Sequence, residues 1–181
     1  RAFRRLSLEP GSTPVLVALA RHATAAGLGE QAAELNAAAA KALLAAGEQG
    51  RASEHFQLAR SLGARHVTGG DVARALAAAG RYGESVTFWR EAHEAGEAGA
   101  GLELARVARL AGDSAMAESV ASSLAERGDE EERWAAVALL ARMNLDRGAA
   151  RPALERVERC SAQGSASFEL EEVIAVWPIA V

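Results

Sequence analysis

The stretch that decides the fold is residues 33–66, AELNAAAAKALLAAGEQGRASEHFQLARSLGARH. Its first part, Ala33 to Ala46, contains no Gly and no Pro. Ala has the highest helix propensity and is depleted in strands, so this run reads as helix. Gly47 follows, and a glycine just past an apolar periodic run closes a helix in the left-handed conformation. After it, Ala52, Phe56 and Ala59 fall at helical spacing on one face. The stretch is a helix, a glycine turn and a second helix.

The same arrangement recurs around Gly27, Gly80, Gly112 and Gly148. Seven residues before the five glycines stand Ala20, Ala40, Ala73, Ala105 and Ala141. Eight before stand Leu19, Ala39, Val72, Leu104 and Leu140, all apolar. Five after stand Ala32, Ala52, Ser85, Ala117 and Ala153, all small. Nine after stand Asn36, Phe56, Trp89, Ala121 and Val157, mostly bulky. Small residues at fixed places let antiparallel helices approach closely, and larger apolar residues fill the space between pairs. A recurrence at this period marks a repeat array.

The pattern resembles the tetratricopeptide repeat (TPR), in a degenerate bacterial-type form. Residues 33–66 are the best copy, with Ala40, Leu43, Gly47, Ala52, Phe56 and Ala59 in place. The next best runs through Ala73, Leu76, Gly80, Tyr82, Ser85, Trp89 and Ala92. The resemblance extends to about residue 163 and implies an all-α, right-handed superhelical solenoid of about five helix pairs. Each pair is then stabilised mainly by its neighbours.

The glycine anchors lie 20, 33, 32 and 36 residues apart. The first interval is too short for a helix pair. Residues 30–46 therefore read as one long helix shared between its two neighbours, with a break in superhelical phase near 28–47. The predicted helices are 1–8, 13–26, 29–46, 49–62, 69–79, 82–96, 99–111, 114–127, 130–147 and 149–163. Gly69-Gly70 and residues 96–101 read as the loosest joints. No stretch reads as an interdomain linker, so residues 1–164 form one repeat domain with a truncated repeat at 1–10.

Residues 165–181 differ in being β-branched, aromatic and acidic together. Three readings stand for them: a capping helix begun by Ser167, an extended tail docking on a neighbour, or a foreign or partner-derived peptide after a Gly164–Ser167 linker. Phe168, Leu170, Ile174 and Trp177 are the candidate docking residues. The apolar run Val173–Val181 is not expected to stay exposed.

Composition narrows the classes further. The chain has 181 residues, 50% hydrophobic but only 4% aromatic, with net charge −4. That length supports one domain or a short array. The hydrophobic fraction argues against disorder. The single cysteine, Cys160, excludes a disulfide framework and a cysteine-based zinc site. It falls at a packing position and reads as a buried thiol. The acidic balance argues against a nucleic-acid partner. No apolar run reaches membrane-spanning length, so no membrane partner is expected. The chain lacks an initial Met and reads as a piece of a longer protein; a cytoplasmic location is expected, although an absent leader would hide secretion.

No constellation for catalysis is visible. His22, His55, His66 and His93 show no pair at the spacing of a helical metal site, and each reads as a solvated helix or loop residue. The glycines at 96, 99 and 101 follow no strand and match no phosphate-binding motif. The acidic run Asp129–Glu132 suits a helix start, where the helix dipole favours negative charge. Phe56, Trp89 and Trp134 read as core. Neither enzymatic activity nor a cofactor or metal is expected.

One column stands out. Six residues before the glycines come Arg21, Lys41, Arg74, Arg106 and Arg142, all basic. Arg109 lies three residues beyond Arg106. The resemblance implies that this column lines a concave groove. A basic ladder there suits an acidic peptide or helix, since guanidinium pairs bidentately with carboxylate. The bland reading is a set of surface cations pairing within the array, for example with Glu103 or Asp146. The chaperone-tail clamp of the family is not reproduced, because its positions carry Ala37, Gly70 or Leu102. Protein–protein interaction is thus the expected function. The alternatives are self-assembly into a homo-oligomer through the C-terminal tail, and a regulatory sensor domain of a larger bacterial protein.

Overall fold

The structure, a computed structural model, describes residues 12–161. The predicted helix at 1–8 and the whole segment 165–181, with Phe168, Leu170, Ile174 and Trp177, lie outside the described residues. So does the side chain of Cys160.

The described residues form helices joined by short turns, with no strand among them. The helices are α1 (Thr13–Ala25), α2 (Gly29–Ala45), α3 (Gln49–Ser61), α4 (Gly69–Ala78), α5 (Tyr82–Glu94), α6 (Ala100–Leu110), α7 (Ser114–Arg127), α8 (Glu130–Asp146) and α9 (Ala150–Ser161). Each predicted helix from 13–26 onward is present, mostly ending a residue or two earlier. The described residues group into two compact units that divide between residues 92 and 93, the 1–92 unit and the 93–181 unit.

The turns follow from the glycine anchors. Gly47 has φ 77° and Gly80 has φ 75°, backbone that other residues adopt only with strain. In both turns the glycine N–H and the next N–H donate back into the helix. Gly47 N–H reaches the Leu44 carbonyl at 3.0 Å, and Glu48 N–H reaches that of Leu43 at 2.9 Å. At the second turn, Gly80 N–H reaches Ala77 and Arg81 N–H reaches Leu76, both at 2.9 Å. Carbonyls that a helix end leaves unpaired are thereby satisfied, as in a Schellman motif. The same double bond recurs at the other three anchors.

Both small-residue columns are buried throughout, from Ala20 to Ala141 and from Ala32 to Ala153. They face each other across the helix pairs. At α4 and α5 the contact is explicit: Ser85 Oγ donates to the Ala73 carbonyl at 2.7 Å. In the 1–92 unit the core gathers Val17, Leu43, Phe56, Val72 and Leu76. In the 93–181 unit the largest buried side chains include Leu104, Leu140 and Met143. Of the three aromatics expected in the core, Phe56 and Trp89 are buried and Trp134 is half-buried.

Gly69 and Gly70 are not a loose joint. Both are buried in the first turn of α4, behind a reciprocal cap between Thr68 and Asp71. A Cβ on Gly69 would stand 3.0 Å from the Phe88 carbonyl and 3.4 Å from Ala92. Gly69 serves the close approach of α4 to α5.

The short first interval resolves as the sequence indicated. Between Gly27 and Gly47 there is only α2, whereas each later interval holds two helices. α2 packs against both α1 and α3. One consequence is a change of row. α1 and α3 border a common cleft, so α1 belongs to the row of second helices. Leu19 differs from its column mates: it is 47% exposed, while Ala39, Val72, Leu104 and Leu140 are buried.

Candidate functional site

The basic column does not form one continuous set. Lys41 stands on α2 and Arg74 on α4, both first helices of pairs, and both are exposed. Neither makes an ion pair among the described residues. The Arg74 guanidinium lies over the Trp89 ring, 5.6 Å from its centroid. This contact orients the side chain without neutralising it.

Arg21 is placed elsewhere. It stands on α1 and borders the cleft shared with Glu48 and Arg51 at the start of α3. Its inclusion in a ladder on first helices is corrected by the 20-residue first interval, which carries one helix and so reverses the alternation. Position relative to the glycine is the same; the row is not.

In the 93–181 unit, Arg106, Arg109 and Arg142 are all engaged within the chain. Arg106 pairs with Glu103 at 2.9 Å, one helical turn away. Arg109 on α6 and Arg142 on α8 converge on one carboxylate, Asp146, at 2.8 and 3.0 Å. Asp146 thus ties two neighbouring first helices together. Exposed pairs of this kind contribute little to stability, about 1 kcal/mol or less each. Their effect on a ligand is larger in principle, because the three cations already have acceptors.

The sequence reading missed a polar network inside the 1–92 unit. Asn36, in the bulky column, is buried. Its amide donates to the Ala32 carbonyl at 2.8 Å and to Thr24 Oγ1 at 3.0 Å. Its Oδ1 lies 2.7 Å from His55 Nδ1, which assigns the Nδ1 proton to this bond. Thr24, Asn36 and His55 come from α1, α2 and α3, so one network spans the three helices. His55 is therefore half-buried and bonded, not a solvated helix residue as expected. Burial pushes its pKa down, and Arg51 and Arg21 push it further; Glu54 opposes them. The signal in the sequence was Asn36 itself, a polar residue where other copies carry Phe56 and Trp89.

Among the described residues, no group of three His, Cys, Asp or Glu could hold a metal ion. No helix there is long and apolar enough to cross a membrane.

These features define, among the described residues, an all-α repeat protein whose neighbouring helices meet through small-residue columns. Two solved structures share its architecture. Both are of a Podosopora anserina protein described as a kinesin light chain with nearly identical TPR-like repeats. One is 19% identical, with TM-score 0.57, covering 86% of this chain and 95% of that one. The other is 20% identical, with TM-score 0.56, covering 88% of this chain and all of that one. The fold is thus a TPR-like α-solenoid. No family model matches the sequence, and no curated protein matches it.

Proposed function

We propose that the chain is a non-catalytic protein-interaction module that binds an acidic peptide or an acidic helix face through Lys41 and Arg74. The observation that carries this reading is the difference between the basic residues. Lys41 and Arg74 are exposed and without ion pairs among the described residues, while Arg106, Arg109 and Arg142 are satisfied by Glu103 and Asp146. An incoming carboxylate meets uncommitted charge at the first two and must displace an existing partner at the other three. Arg74 is also held by Trp89, which lowers the entropy lost on binding.

Panning a random peptide library on the full chain tests the proposal. Acidic peptides should be enriched, and a peptide so selected should bind the Lys41→Glu/Arg74→Glu double variant about tenfold more weakly, with the helical circular dichroism unchanged. Enrichment of neutral or basic peptides, or an unchanged affinity of the selected acidic peptide for the double variant, overturns it. Arg106→Glu with Arg142→Glu should weaken binding far less.

A further inference from the structure

The cleft between α1 and α3 has a different character from the Lys41 and Arg74 face. It encloses about 340 Å³. Thr13, Val17, Ala18 and Arg21 line it from α1, and Glu48 and Arg51 from the start of α3. Val17 is buried and gives the cleft an apolar floor. Two arginines and one threonine are among the residues that border it. Arg51 is paired with Glu48. Arg21 makes no ion pair among the described residues. The cleft therefore carries one positive charge in excess. An apolar floor with a cationic rim matches a side chain that is aliphatic near its backbone and anionic at its tip.

We propose that this cleft binds a glutamate or aspartate side chain of an acidic peptide through Arg21 and Arg51, and that its occupancy is coupled to protonation of His55. The coupling rests on position. His55 is one turn along α3 from Arg51, and both Arg21 and Arg51 act on its charge. Glu54 on the same helix acts in the opposite sense. α2 contributes the neutral amide of Asn36, which holds the Nδ1 side of the ring. A further proton must therefore go to Nε2. With the cleft empty, the two guanidinium groups oppose that proton. A bound carboxylate offsets their charge and removes the opposition. Linkage is reciprocal, so protonated His55 must hold the carboxylate more tightly. Binding strengthens as pH falls through the His55 titration, while a Glu or Asp ligand stays ionised.

This site is separate from the Lys41 and Arg74 face, so the experiment is done in the full chain carrying Lys41→Glu and Arg74→Glu. The probe is acetyl-triglutamate amide, with inorganic phosphate as a second ligand. The readout is the ring C–H resonance of His55, assigned by its loss in His55→Gln. Saturation with the peptide should raise the His55 midpoint, and peptide affinity should rise about fivefold between about pH 8 and about pH 5.5. Arg21→Gln should weaken the peptide about tenfold and remove the shift at His55. Where Arg21→Gln alters the fold, Arg51→Gln gives the same reading. An unmoved His55 at saturation, or full binding by both arginine variants, overturns the proposal. A phosphate effect equal to that of the peptide also overturns it, since the cleft is then a small-anion site.

Discussion

The hydroxyl of Ser85 donates to the backbone carbonyl of Ala73 at 2.7 Å, inside the contact between α4 and α5. This bond joins the two small-residue columns on which the repeat is built. It also explains why a serine stands where the other copies have alanine: a hydroxyl buried without a partner would be costly. Ser85→Ala should cost about 1 kcal/mol, because the Ala73 carbonyl lies within α4. Ala73→Leu should cost about 1–3 kcal/mol or more, since the helices must separate to admit it. Urea unfolding of both variants checks the contrast, and equal effects contradict the close-contact reading.

The glycine turns predict a second outcome. Gly80 has φ 75°, and a Cβ there meets nothing within 4 Å. Space is not the constraint; backbone conformation is. Gly80→Ala should therefore destabilise by about 1 kcal/mol, the cost of left-handed backbone for an L-residue. Gly50 is helical and equally open. Gly50→Ala should be stabilising by a few tenths to about 1 kcal/mol through helix propensity. Opposite shifts in melting temperature for these variants are the expected result.

Protonation of His55 gives a pH dependence. Its folded pKa is lowered, first by burial and then by Arg51 and Arg21. The unfolded chain therefore binds more protons at mildly acidic pH. The stabilisation is complete above the unfolded value of about 6.5 and is lost as pH falls through the folded value. Urea midpoints should drop between about pH 7.5 and about pH 5, and His55→Gln should flatten that slope. An unchanged slope would assign the pH dependence to other groups.

Asp146 predicts a small, salt-sensitive effect. It accepts from both Arg109 and Arg142, yet all three side chains keep contact with solvent. Asp146→Ala should cost about 1 kcal/mol or less at low salt, and most of that should vanish in about 1 M NaCl. The same variant frees two cations on α6 and α8. Acidic peptides should then bind the 93–181 unit better, which a titration of the variant measures.

Much of the architecture was legible in the sequence because its causes are local. Gly47 and Gly80 stop helices by backbone chemistry, and Ala40 or Ala73 can be recognised as contact residues from position alone. The site was less legible because its causes are not local. Arg74 and Arg106 occupy the same place relative to their glycines. They differ because Arg106 has Glu103 one turn away and Arg74 has Trp89 on the next helix. The pairing of Arg109 with Asp146 spans two repeats and is invisible to a pattern of fixed offsets.

That the chain is helical, where its helices end and which small residues bring them together all follow from the order of residues alone. Helix propensity, left-handed glycine and periodic burial act over a few residues, so a linear reading captures them. Packing set which charges remain available and which row each helix joins. Arg21 shares its sequence offset with Lys41, but α1 and α3 border a common cleft, so Arg21 lines that cleft together with Arg51. The polar link from Thr24 through Asn36 to His55 was decided at the same level. A buried amide must find partners wherever packing supplies them, and here three helices supply them.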